Sequence, residues 1–154
     1  MQPDTRYPKQ VLYTAWHFFA DPSLEPKVVI DFPLRRFTVT RVIEKEHIAK
    51  ITTRYFDNEE YNELLQMSEC SELLRWIDEC YNSKEYHKEM DYKYGYRDGW
   101  HIHCEMTLCG EPTPIQITLG GGDAPVNPFE KIYAWIYRLE PDVVPNWSFF
   151  DFPP

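Results

Sequence analysis

At 154 residues the chain is long enough to bury a core without disulfide staples and short for two domains. Its 43% apolar and 16% aromatic content excludes a disordered polypeptide. A net charge of −9 argues against nucleic acid and anionic membrane, which are bound through clustered Lys and Arg, and suits a basic partner.

Residues 10–19 are aromatic-rich and read as a strand ended by the turn Asp21-Pro22-Ser23. Val28 to Phe32 is a second strand, stopped by Pro33. Residues 35–43 alternate, with Phe37, Val39 and Arg41 on one face and Thr38, Thr40 and Val42 on the other. Residues 47–55 alternate again, with Ile48, Ile51 and Tyr55 as the apolar members. Together these segments predict an antiparallel meander.

A helix then begins sharply. Asp57 is followed three residues later by Glu60, an N-cap with its capping-box partner. Tyr61, Leu64 and Leu65 follow at helical spacing. After Ser68 and Ser71, the residues Cys70, Leu73, Leu74, Ile77 and Cys80 continue it on a shifted face, so two short helices or one kinked helix are expected. Residues 82–98 are polar and tyrosine-rich and read as a loop with part of a strand.

The cleanest alternation runs from Trp100. Trp100, Ile102, Cys104, Met106 and Leu108 share one face, and His101, His103, Glu105 and Thr107 the other. Gly110-Glu111-Pro112 turns the chain, and Ile115, Ile117 and Leu119 return as the partner strand. A final helix is expected from Asn127 as N-cap and Pro128 as first helical residue, with Phe129, Ile132, Tyr133, Ile136 and Leu139 as its buried stripe. Pro141 ends it. The tail over 140–154, aromatic and Pro-rich, is expected to pack on the domain.

The fold expected is α+β: one domain over 1–154, with an antiparallel sheet of five or six strands and two or three helices mainly on one face. No apolar run approaches the roughly 20 residues of a membrane span, and Met1 to Lys9 lacks the apolar core of a signal peptide. Four cysteines without a close Cys-x-x-Cys pair read as free thiols in a reducing compartment, so a cytoplasmic protein is expected.

Three arrangements invite chemistry. His101 and His103, two apart on a strand, lie about 6–7 Å apart on one face, close enough to share a metal. A third ligand is missing, because Glu105 sits about 13 Å from His101 along the strand. No metal or other cofactor is therefore expected, and a metal-dependent or small-ligand-binding enzyme on this face is the alternative reading. Cys104 follows His103 directly, but adjacent strand residues point apart, so they form no catalytic pair. Gly120-Gly121-Gly122 precedes a helix, but the Lys and Ser or Thr of a phosphate loop are absent and Asp123 repels an anion.

Charge is segregated instead. Residues 27–56 hold seven Lys and Arg against three acids, whereas 57–91 hold eleven acids against three basic residues. An acidic helical face is usually just solvated, yet it also steers a basic partner toward its site. Glu59, Glu63 and Glu72 are the candidate docking charges on it. Trp147 and Phe149 of the tail are candidate aromatic anchors. The oligomeric state is not fixed by the sequence.

Asp98-Gly99-Trp100 entering an alternating hairpin, the glycine-rich exit, and Pro125 with Phe129 at a helix start resemble a loose group of small bacterial α+β proteins over about residues 35–139. That resemblance implies a fold and no shared activity. By size and charge the chain also resembles immunity proteins of bacterial toxin systems and phage-encoded inhibitors of host defence. This resemblance implies a non-enzymatic inhibitor that docks a protein partner.

Overall fold

The computed structural model describes residues 5–17, 25–43, 48–83, 100–120 and 128–140. Six strands form one fully antiparallel sheet: β1 (Gln10–His17), β2 (Lys27–Asp31), β3 (Arg36–Ile43), β4 (Ile48–Tyr55), β5 (Trp100–Thr107) and β6 (Ile115–Gly120). Their spatial order is β4-β3-β2-β1-β5-β6. The meander β1 to β4 and the hairpin β5–β6 meet where β1 pairs with β5, Tyr13 opposite Cys104.

The period of two decides which side chains are covered. Val11 and Tyr13, Val28 and Ile30, Phe37 and Val39, Ile102, Cys104 and Met106, and Ile117 all point to one face and are buried there. This is the expected register for β3, β5 and β6. Only the backbone of Trp100 and His101 is described, so Trp100 stays outside the core accounting.

Helices α1 (Asn58–Met67), α2 (Cys70–Trp76) and α3 (Pro128–Leu139) cover that face, and a π-helical turn (Ile77–Tyr81) extends α2. The capping box that opens α1 is present in both directions: Glu60 N donates to Asp57 Oδ1 at 2.7 Å, and Asp57 N donates to Glu60 Oε1 at 3.0 Å. The interruption seen at Ser68 is a true break. The buried Ser68 hydroxyl donates to the Leu64 carbonyl, closing α1 with a side chain where the helical ladder stops. Two short helices result.

α3 buries more side chains than α1 or α2. Phe129, Ile132, Tyr133 and Ile136 are buried as expected. Trp135, outside the predicted stripe, is buried too and stacks on Phe56 with ring centroids 5.5 Å apart. At the other end of α3, Tyr13 Oη donates to the Phe129 carbonyl at 2.9 Å, satisfying a buried phenol. α3 therefore runs beneath the sheet from β1 toward the end of β4.

The turn from β2 to β3 is set by Asp31, whose Oδ1 accepts from Leu34 N at 3.0 Å. It places Arg35 at φ 51, a left-handed conformation that costs an L residue about 1–2 kcal/mol. The guanidinium of Arg35 lies 4.4 Å from the Tyr61 ring centroid. Gly110 takes φ 84 in the turn after β5, where the sequence anticipated a reversal.

Ile51 and Tyr55, the apolar members of β4, are 66% and 63% exposed. They stand on the sheet face opposite the helices, and β4 is an edge strand, so no described helix covers them. Ile48 contributes only its backbone to the description. The connection over 84–99, the glycine-rich exit, Asn127 and the tail over 141–154 lie outside the described residues.

Candidate functional site

His103 stands on the open face of the sheet, 28% exposed, with each ring nitrogen beside a neighbour. Nδ1 is 3.2 Å from Thr118 Oγ1 across the β5–β6 pair, and Nε2 is 3.4 Å from Glu105 Oε1 on the same strand. The same Glu105 oxygen accepts from Gln116 Nε2 at 3.2 Å. This is a cross-strand polar ladder in which the ring nitrogens face protein groups. His101 pairs in register with Trp16 and Gly120, and its side chain lies outside the description. Among the described residues no three His, Cys, Asp or Glu side chains come together in a group able to hold a metal.

Cys104 lies on the other face, fully buried beneath the helices. Burial pushes its thiol well above the ordinary range, and its hydrogen bond to Tyr13 offsets only part of this. A thiol held protonated is a poor nucleophile. Tyr13 and Tyr133 are raised by the same desolvation, and their rings are 5.3 Å apart. These three groups form a polar seam inside the core. None of the four cysteines forms a disulfide, and Cys70 and Cys104 are buried.

The acidic segment forms much of the outer surface of the helical layer. Asp57, Glu59, Glu63, Glu69, Glu72, Asp78 and Glu79 are exposed, and Arg75 is the one cation between 57 and 83. These carboxylates have different attachments. Glu60 serves the capping box and accepts from Arg54 Nη2 at 2.8 Å. Arg54 Nη1 is buried without an acceptor, so this pair is held by one bond and not a bidentate fork. Glu63 accepts from the indole Nε1 of Trp135 at 2.9 Å, which ties it to α3. Glu72 pairs with Arg75, both more than half exposed, an arrangement worth little because water screens it.

No protein family, curated protein or solved structure matches the chain. Its function is accordingly read from the site alone.

Of the three predicted docking charges, Glu59 and Glu72 are surface groups, and Glu63 has a second task in holding α1 to α3. The aromatic candidates Trp147 and Phe149 fall outside the described residues. Sequence reasoning missed Trp135 because it lies beside the Ile132–Ile136 stripe and not on it. Nothing in local spacing could pair it with a carboxylate 72 positions away. It also missed Tyr81, whose hydroxyl accepts from Thr118 N at 3.1 Å on the outer side of β6. The π-helical turn thereby reaches across the helical layer to the last strand of the sheet.

Proposed function

We propose that this chain is a non-enzymatic protein-binding module of the immunity or inhibitor type, docking a basic partner through the outward face of α1, α2 and the π-helical turn. The observation that carries this reading is the run of exposed Glu59, Glu69, Glu72, Asp78 and Glu79 with Arg75 as the one cation among them. The neighbouring strands β2 to β4 hold Lys27, Arg36, Arg41, Lys50 and Arg54, so acidic and basic residues are segregated by element along the chain. A directional field of this kind raises the rate of encounter with a cationic surface and discriminates against anionic ones.

The test is association kinetics with a cationic protein partner recovered from the source cell. Glu59, Glu72 and Glu79 are reversed to Lys; Glu63 is spared because of Trp135 and Glu60 because of the cap. Association of the folded variant slows by about tenfold or more at low salt, and the difference shrinks toward 1 M, where the Debye length is about 3 Å. Equal rates for variant and native protein at low salt mean that the acidic face is only solvated.

A further inference from the structure

The two edges of the sheet are finished differently. On β6 the outward N–H of Thr118 is taken by Tyr81 Oη. On β4 no described residue plays that part. The β3–β4 register runs unbroken through eight pairs from Arg36↔Tyr55 to Ile43↔Ile48, with no bulge and no proline to blunt the edge.

The direction of the β4 backbone groups follows from one bond. Phe56 N donates to the Arg35 carbonyl at 2.9 Å, continuing that register. In an antiparallel ladder the hydrogen-bonded pairs alternate. Phe56, Arg54, Thr52 and Lys50 therefore turn their backbone groups toward β3, whereas Tyr55, Thr53, Ile51 and Ala49 turn theirs outward. The same four outward residues are exposed on the open face, Ile51 and Tyr55 most conspicuously. Arg36 holds the Tyr55 ring from the neighbouring strand, Nη1 donating to Tyr55 Oη at 3.3 Å.

We propose that β4 is the docking edge for a second copy of this chain, antiparallel to it about a two-fold axis at Thr53. Self-complementarity selects the occupant and the register. Only a two-fold axis through an odd-numbered or even-numbered residue, and not between residues, brings outward backbone groups opposite each other. An axis at Thr52 sets Lys50 directly against Arg54 of the second copy, an unfavourable like-charge pair. An axis at Ile51 leaves Tyr55 opposite residue 47, outside the strand. An axis at Thr53 places Ile51 against Tyr55 twice and Thr53 against Thr53, the aromatic with β-branched and Thr with Thr pairs that favour cross-strand contact. Lys50 then comes opposite Phe56 of the second copy, beside the acidic first turn of its α1, and opposite charges meet across the axis. The interface is isologous, as a two-fold dimer requires.

Sedimentation equilibrium of the full chain, across a micromolar to millimolar series, tests the proposal. The native protein shows a concentration-dependent rise to twice the monomer mass. Thr53→Pro removes an outward N–H and none from the β3–β4 ladder, so it leaves the circular dichroism unchanged and gives a monomer. Ile51→Lys, at an exposed side chain, weakens the dimer by about tenfold or more. Thr53→Cys gives a covalent dimer under a mild thiol oxidant, because paired Cα atoms about 5.5 Å apart suit a disulfide; Ala49→Cys does not. A native protein that is monomeric throughout overturns the proposal, as does a dimer untouched by Thr53→Pro and Ile51→Lys. Loss of the dimer with Gln116→Lys, and not with Ile51→Lys, would place the contact on β6 and overturn it equally. Reversal of Glu72 and Glu79 to Lys, neither of them in the first turn of α1, leaves the dimer intact, which separates this surface from the acidic one.

Discussion

The indole Nε1 of Trp135 on α3 donates to the carboxylate of Glu63 on α1 at 2.9 Å, while the same indole ring stacks on Phe56 at the end of β4. One side chain thus joins both helices to the sheet. Hydrogen bonds to a charged group are worth about 1.5–3 kcal/mol when dry, and exposure of the Glu63 side chain reduces this toward about 1. Glu63→Ala is expected to lower stability by about 1 kcal/mol, whereas Glu59→Ala changes it by less than about 0.5. Combined with Trp135→Phe, the Glu63 effect disappears, and a double-mutant cycle in urea reads a coupling of about 1 kcal/mol. Additive losses would show that the bond contributes nothing.

Alkaline pH is expected to loosen the core. Burial raises the Cys104 thiol above its ordinary 9.0 and the Tyr13 and Tyr133 phenols above their ordinary 10.0; the Glu25 carboxylate adds to the shift at Tyr133 and Arg41 opposes it. Below those ordinary values both folded and unfolded chains keep the protons. Above them the unfolded chain releases protons that the folded core retains, so stability falls as pH rises. The limiting slope is about 1.4 kcal/mol per pH unit for each retained proton. Urea titrations from neutral pH upward should show the decline beginning near 9, steepening past 10, and becoming shallower in Tyr133→Phe. A flat profile through this range would falsify the assignment.

Arg35 carries two opposing contributions, left-handed strain at φ 51 and contact with the Tyr61 ring at 4.4 Å. Alanine keeps the strain and loses the contact, costing about 0.5–1 kcal/mol. Glycine loses the contact and relieves strain of about 1–2 kcal/mol, leaving stability near or above that of the native chain. The expected order of urea midpoints places Arg35→Gly above Arg35→Ala. The reverse order would mean that the backbone at this turn relaxes without help.

The features legible in the sequence were those in which a local pattern carries its own physical cause. Asp57 and Glu60 close a capping box within one turn, Gly110 stands where φ is positive, and the alternation from Ile102 to Met106 puts each side chain on its observed face. Ile51 and Tyr55 show the limit of that logic. Alternation says which residues share a face, and only the strand order says whether that face or edge is covered. The acidic surface was legible as charge, but the different attachments of Glu59, Glu63 and Glu72 depend on α3 and Arg75. His103 raised the alternative of a metal site that lacked a third ligand in the sequence, and its described neighbours are Thr118 from the next strand and Glu105 from its own.

The central place of β1 has a bearing on how the chain assembles in time. Strands β2 to β4 can zip onto β1 as soon as residues up to 55 are free, because each is joined to the next in sequence. The second side of β1 must wait for β5, roughly ninety residues further on, and a pairing so distant forms late and over milliseconds to seconds. Until then Val11 and Tyr13 have their meander but neither hairpin nor α3 above them. A ribosome stalled after β4 should therefore hold a half-built sheet that protease readily digests, and protection should come only once α3 has emerged.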